Sequence, residues 1–275
     1  MPTVPQPKQL TTDGRWKLAP CFAPDGRSIV FCAHQKPNLV SLVRLNLDSG
    51  SRELVFPSMT DHQFDPAFSP DSRLLTFSRS ATSPQLVLVI HDLRERTEAE
   101  YRPLDGRATA RTPRFTPNGS RIVFTLSDAG GQQIASVDRS GRDLKWLTGS
   151  VGINCWPSLS PDGLRIVFSS SRDGHLQLYV MQADGSNVRR LAESPSRDMR
   201  PAWSPDGKWI AFTGTRDGNH DIYLIRPDGT QLTRLTDDPE RDDFPVWSPD
   251  SKRLVTLAER AGNFDLFAYD VSPLG

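Results

Sequence analysis

One ten-residue pattern recurs six times in this 275-residue chain, and its spacing limits the folds that the chain can adopt. The copies, units one to six, are FAPDGRSIVF (22–31), FSPDSRLLTF (68–77), FTPNGSRIVF (115–124), LSPDGLRIVF (159–168), WSPDGKWIAF (203–212) and WSPDSKRLVT (247–256). Successive turn prolines in these copies are 46, 47, 44, 44 and 44 residues apart. Near-equal units of this length are typical of β-propeller blades with four strands each.

Each unit reads as four short strands joined by tight turns, and unit five shows this best. Its first strand is predicted to begin at Pro201, since the first residue of a strand does not need a ladder donor. In the SPDG turn that follows, proline sets φ and glycine takes a positive φ. Ser72 and Ser251 replace this glycine in two units, so we expect serine at positive φ there, at a cost of about 1 kcal/mol.

A large apolar side chain precedes the turn in every unit. These residues are Phe22, Phe68, Phe115, Leu159, Trp203 and Trp247. Their regular recurrence predicts a core between neighbouring units. An aromatic ligand cage is the alternative, but a cage does not recur in every blade.

Both ends of the chain are predicted to share the last unit. That unit has no recognisable fourth strand, whereas PKQLTT (7–12) is similar to the fourth strands of units three and five. We therefore expect one all-β domain over residues 1–275, a six-bladed β-propeller with four-stranded blades. Its ring would be closed by the N-terminal strand, which completes the last blade and removes an exposed sheet edge. The predicted blades are approximately 13–60, 61–107, 108–151, 152–195, 196–238, and 239–275 plus 1–12.

Composition excludes several classes of protein. Lys+Arg and Asp+Glu both number 33, so the chain lacks the basic footprint of a nucleic-acid-binding protein. Three cysteines without a CxxC predict neither a disulfide framework nor a zinc site. No apolar run approaches the roughly 18 residues that a membrane span needs. The first 16 residues lack the apolar core of a signal peptide. We expect a soluble, cytoplasmic monomer, or a periplasmic one if a leader has been removed.

The full pattern, xPxWSPDGxxIxF followed by SxRDGNxDIYxxxxDGxxxxxLT, resembles the TolB-like six-bladed propellers with PD40, or WD40-like, repeats. The resemblance covers nearly the whole chain and is strongest in units four and five. It implies a six-bladed propeller that acts through protein partners, as TolB does in the cell envelope. Similar propellers also gate prolyl-oligopeptidase-like enzymes, but this chain has no GxSxG nucleophile motif.

The candidate site lies where the repetition fails. Strand directions place the DG turns on one face and the channel mouth on the other, together with the loops that follow the second and fourth strands. The residues just before each first-strand proline should surround this mouth, and they differ between units. Trp156 and Phe244 stand there as candidate anchors for a partner, or as caps of the blade core. The candidate binding residues are Asp65, Arg111, Asn154, Trp156, Asp198, Arg200, Asp242, Asp243 and Phe244.

These residues favour a non-catalytic binding or scaffold propeller that engages a protein or peptide partner through the mouth face. The carboxylates of the mouth suit Ca²⁺ or another divalent cation in the central channel. A hydrolase or lyase, or a carbohydrate or small-ligand binder, stays open as an alternative that uses the same mouth. A solvated rim of ion pairs is open as well. Paired carboxylates with one raised pKa would favour catalysis, and an aromatic anchor would favour binding.

Overall fold

A computed structural model describes residues 6–36, 38–82, 84–149 and 152–272, so both ends of the predicted last blade, residues 1–5 and 273–275, lie outside it. The described chain is all-β, and its four-stranded antiparallel sheets are those of a β-propeller. No helix in this part of the chain is long and apolar enough to cross a membrane.

The strands of each unit pair in chain order. Unit one contains β2 (Lys17–Phe22), β3 (Ser28–Lys36), β4 (Leu39–Asn46) and β5 (Arg52–Leu54). Unit two contains β6 (Gln63–Phe68), β7 (Leu74–Thr82), β8 (Gln85–Asp92) and β9 (Glu98–Tyr101). Unit three contains β10 (Thr109–Phe115), β11 (Arg121–Asp128), β12 (Gly131–Asp138) and β13 (Lys145–Trp146). One parallel bridge, Thr109 to Leu86, links units two and three into an eight-stranded sheet.

The remaining units follow the same order until the last one. Unit four contains β14 (Asn154–Leu159), β15 (Arg165–Ser170), β16 (Gln177–Gln182) and β17 (Arg189–Arg190). Unit five contains β18 (Asp198–Trp203), β19 (Ile210–Gly214), β20 (Asp221–Ile225) and β21 (Thr233–Arg234). Unit six contains β22 (Asp242–Trp247), β23 (Arg253–Arg260), β24 (Asn263–Asp270) and β1 (Lys8–Gln9).

The N-terminal strand pairs with the last strand of the chain, as the sequence predicted for residues 7–12. Lys8 lies opposite Ala268 in an antiparallel register. The Leu10 N–H donates to the Leu266 carbonyl at 2.7 Å, and the Thr11 hydroxyl donates to Asp265 at 2.5 Å. The fourth strand of the last sheet therefore comes from the opposite end of the chain.

Lys17 stabilises this junction instead of facing the mouth. Its ammonium group is fully buried, donates to the Phe264 carbonyl at 2.9 Å and forms ion pairs with Asp13 and Asp265. A buried ammonium needs such partners, because an uncompensated charge in the interior is costly. The segment around Lys17 thus ties unit one to the last strand.

Every first strand carries a bulge just before its proline, which the sequence did not predict. In unit five the pairing register shifts between Met199 and Ala202, and Arg200 has φ 51°. The strand also begins at Asp198, three residues before the predicted start at Pro201. The proline disfavours the α region for the residue before it, and here that residue adopts a left-handed conformation.

The predicted turn chemistry and the predicted core between units are both present. Ser72 and Ser251 have φ 59°, close to the 75° of the equivalent Gly207. Trp203 is buried against residues of units four and five, and Phe22 against strands of units one and six. The large side chain before the turn therefore packs between units, which is the structural role that its recurrence predicted.

Candidate functional site

The first strands of the six units surround two adjoining cavities. The mouth cavity, of about 50 Å³, is lined by residues on both sides of the first-strand prolines. The funnel, of about 480 Å³, is lined by residues that follow those prolines and by the turns. The sequence predicted the entrance on the mouth face, whereas the larger cavity lies toward the SPDG-type turns.

The bulges present one side chain from each unit to the mouth cavity. These residues all have φ between 45° and 55° and are Ala19, Asp65, Thr112, Trp156, Arg200 and Phe244. A bulge redirects a side chain relative to a regular strand. Four of the nine predicted binding residues therefore line one cavity wall: Asp65, Trp156, Arg200 and Phe244.

An arginine between two aromatic rings fills much of the mouth. The guanidinium carbon of Arg200 lies 4.7 Å from the ring centre of Trp156 and 4.3 Å from that of Phe244. Each ring attracts the cation through its electron-rich face. Both aromatic residues are half-buried, so the stack also presents apolar surface at this end of the channel.

Asp243 forms an ion pair with this arginine. The carboxylate is fully buried and accepts from Arg200 at 3.1 Å and from the Thr213 hydroxyl at 2.8 Å, and it also pairs with Arg241. Burial alone would raise the pKa of Asp243, but the two guanidinium groups outweigh it and hold the pKa below its ordinary value. Burial lowers the pKa of Arg200. The pair is nevertheless ionised, because arginine does not lose its proton in proteins.

Units two and three contribute a second ion pair to the mouth. Arg111 donates to the carboxylate of Asp65, which also accepts from the backbone N–H of Thr112 at 3.2 Å. The Arg111 guanidinium lies 5.0 Å from the ring centre of Phe64. The two acidic residues closest to the mouth, Asp65 and Asp243, are thus both neutralised by arginine.

Three predicted site residues sit three positions before the first-strand proline, and each accepts a hydrogen bond from an arginine of its own unit. Arg172 donates to Asn154 at 3.0 Å, and Arg216 donates to Asp198 at 2.6 Å. The same pair in unit six joins Arg260 to Asp242 at 3.0 Å. None of the three first-strand residues lines the mouth cavity or the funnel.

Two of these carboxyls have unusual pKa values. Burial raises the pKa of Asp198 to about 6, against the opposing attraction of Arg216. Burial also raises the pKa of Asp242 to about 6, against Arg260. Each has its own arginine, so the two acids do not form a shared proton pair of the kind that favours catalysis.

No cluster of three or more His, Cys, Asp or Glu side chains suited to a metal ion is present within the described ranges. The acidic residues near the mouth are engaged by arginine, as Asp65 and Asp243 show. Their oxygens therefore do not converge on a common point, which the predicted divalent cation would need.

Sequence reasoning missed Arg114, which lines both cavities. The residues that directly follow the first-strand proline are Cys21, Ala67, Arg114, Ser158, Ala202 and Val246. Five of them are small or apolar and one is charged. A comparison of this position between units singles out Arg114, because the other five residues carry no charge.

Comparison with known proteins bears on the fold and the family. The family model of the TolB beta propeller domain, PD40, matches residues 64–200 and 192–273, which together are most of the chain. The chain belongs to the TolB β-propeller family. The Tol-Pal system protein TolB of Nitratidesulfovibrio vulgaris is 28% identical to it over 114 residues, which are 42% of this chain and 24% of that protein. The chain thus matches about a quarter of the length of this TolB relative.

Solved structures extend the likeness over nearly the whole chain. A putative TolB from Agrobacterium tumefaciens superposes with a TM-score of 0.75 at 24% identity, covering 94% of this chain and 91% of that one. A gluconolactonase from Xanthomonas campestris has a TM-score of 0.74 at 12% identity, covering 97% and 89%. At these identities the likeness shows the propeller fold alone, and a TolB-type propeller shares that fold with enzymes.

Proposed function

We propose that this TolB-family chain is a closed six-bladed propeller, one domain over residues 1–275, that binds a protein or peptide partner through its mouth face. The Trp156–Arg200–Phe244 stack carries the proposal. Aromatic and arginine side chains in partly desolvated surroundings are the residue types that dominate binding energy at interfaces. The TolB relative is a Tol-Pal system protein, which agrees with a role in an assembly.

Binding is better supported than catalysis at this mouth. Asp198 and Asp242, the acids with raised pKa values, lie outside both cavity walls and are each bonded to an arginine. A general acid or base must reach the group whose proton it transfers. The hydrolase and lyase alternatives therefore have no observation at the mouth in their favour. A monomeric state remains a prediction from the sequence.

Retention of partners from a lysate of the source organism tests the proposal. Trp156→Ala and Phe244→Ala each remove one side of the stack, so we expect a specific protein, identified by mass spectrometry, to be lost from both variants. Trp146→Ala is the matched control, because Trp146 is 50% exposed on the outer strand β13. The purified partner should then bind the mouth variants at least about tenfold more weakly than the control variant.

Equal retention by wild type and both mouth variants would contradict the proposal, as would failure of the wild type to retain any protein. Thermal melting of each variant checks that the propeller is folded. Trp156 and Phe244 are only half-buried, so we expect either truncation to leave the fold intact.

A further inference from the structure

The funnel on the turn side contains a single charged residue among its described lining residues, and this residue lies at the narrow end. Arg114 is shared by the walls of the funnel and the mouth cavity, as are Pro20, Ala202 and Pro245. The rest of the funnel wall is apolar or carries a hydroxyl group, apart from the thiol of Cys21. The charge of Arg114 is therefore set in an otherwise uncharged wall.

Arg114 also has N–H groups that donate to no partner among the described residues. Its Nη1 donates to the Pro113 carbonyl at 2.8 Å, which uses one of the five N–H groups of a guanidinium. Asp65, the acidic residue in the mouth-cavity wall, is already paired with Arg111. Among the described residues, no Asp or Glu forms an ion pair with Arg114.

Other polar groups in the funnel wall are engaged. The Ser158 hydroxyl accepts from the Trp203 N–H at 3.0 Å. The hydroxyls of Ser160 and Ser204 donate to the turn aspartates of their own units, at 2.5 and 2.6 Å. The many prolines in the wall have no N–H to offer. An entering ligand therefore finds its strongest available donor at Arg114.

The shape of the two cavities favours the end of a chain. About 480 Å³ lies within the usual range for a ligand pocket of about 300–1,000 Å³. The mouth cavity beyond Arg114, at about 50 Å³, is roughly a tenth of the size of the funnel. The Trp156–Arg200–Phe244 stack narrows it. A chain that enters from the turn side must stop near Arg114.

We propose that the funnel binds the free C-terminal carboxylate of a peptide, with Arg114 as its anchor. A guanidinium donates two parallel N–H···O bonds to a carboxylate, which matches it in geometry and in charge. A phosphate group carries close to two negative charges, and one guanidinium would leave the second unpaired. The apolar wall suits the side chains of the last residues of the peptide. Arg114 lines both cavities, but the peptide enters from the turn side and the proposed partner binds at the mouth face. The two proposals are therefore tested with different variants.

Two peptide pools test the proposal against the immobilised full-length protein. Both contain N-acetylated hexapeptides made without Asp or Glu; one pool has a free C-terminal carboxylate and the other a C-terminal amide. Arg114→Ala places in unit three the alanine that units two and five have as Ala67 and Ala202, so the first strand is compatible with it. Arg142→Ala is the control, because it removes one positive charge from an exposed turn of the same unit.

We expect the carboxylate pool to be retained at least about tenfold more than the amide pool, with this excess lost in Arg114→Ala and kept in Arg142→Ala. Equal retention of both pools, an excess that survives Arg114→Ala, or no retention of the carboxylate pool would each overturn the proposal. If Arg114→Ala fails to fold in a thermal melt, Arg114→Gln takes its place, since it removes the charge and keeps much of the side-chain length.

Discussion

Arginine takes three different roles in and around the first strands, and the partner of each side chain decides which one. Arg216 bonds to an acid of its own unit, and Arg200 lies between two rings with Asp243 behind it. Arg114 has only a neighbouring carbonyl as its partner in the described structure. An arginine paired with a buried carboxylate compensates a charge that would otherwise destabilise the fold, whereas one that lacks a carboxylate is available to a ligand.

Asp198, a buried acid of unit five, should make the free energy of unfolding depend on pH. Its pKa is raised from 3.8 to about 6 in the folded protein. The folded state of Asp198 therefore binds its proton more tightly, and the resulting stabilisation is full below about pH 4 and lost as the pH rises through about 6. Asp198→Asn removes this titration, and unit four already has an asparagine there, bonded to Arg172 at 3.0 Å.

We expect the free energy of unfolding of the wild type to fall relative to Asp198→Asn by on the order of 3 kcal/mol between pH 4 and pH 7. Urea denaturation at several pH values measures this difference. Asp173→Asn is the control: hydrogen bonds from Tyr179 and Arg190 lower the pKa of Asp173, so it stays ionised above pH 5. Parallel curves for wild type and Asp198→Asn would contradict the prediction.

At the scale of single elements, one of the shortest strands has the longest reach in sequence. The two-residue β1 pairs with β24 across almost the entire chain. A strand this short adds little to the stability of the domain through its own contacts, but it covers the sheet edge that β24 would otherwise expose. Thr11 and Lys17 add buried hydrogen bonds to Asp265 beside it.

Deleting residues 1–12 should destabilise the whole domain. The deletion removes the pairing of β1 and the bonds of Leu10 and Thr11, and it leaves the edge of β24 open. At about 1 kcal/mol for each hydrogen bond, we expect a loss of at least about 3 kcal/mol, which lowers the melting temperature by roughly 6–12 °C. Deletion of residues 1–6 is the control, since β1 begins at Lys8. Identical melting of the longer deletion and the full chain would show that β1 does not support the fold.

The strands and turns could be predicted because they depend on local chemistry that recurs. The glycine or serine of each turn, such as Gly207 and Ser72, takes the positive φ that the pattern requires. The bulges were missed, because a proline at a strand start looks the same whether or not the strand extends before it. The mouth wall was predicted in part, since four of the predicted residues line it. Which carboxylate Arg216 or Arg111 pairs with could not be predicted, because the pairing depends on distances in the folded protein.

At the scale of the whole molecule, both ends of the chain meet in one sheet. Lys8 and Ala268 are paired neighbours in that sheet, so a short flexible linker can join residue 272 to residue 6. The loop that contains Leu104 lies between units two and three and is fully exposed at this residue. New ends placed in such a loop leave the sheets intact.

A circular permutant with new ends between Leu104 and Asp105 should therefore fold. We expect a single cooperative thermal transition within about 5 °C of the wild type, because the permutation breaks no strand. A second permutant with its new ends between Thr256 and Leu257, inside β23, should fail to fold. If the first permutant is unfolded, or if both melt alike, closure of the ring through unit six is wrong.

At the six bulges the backbone conformation of the mouth is independent of the side chains that line it. Each holds a non-glycine residue at positive φ, a conformation that costs an L-residue about 1 kcal/mol or more and glycine almost nothing. Pairing on both sides and the following proline fix the backbone there, whatever side chain it carries. The side chains therefore differ between units while the backbone conformation stays the same, at positions 19, 65, 112, 156, 200 and 244. A library randomised at these six positions would retarget the surface without a redesign of the scaffold.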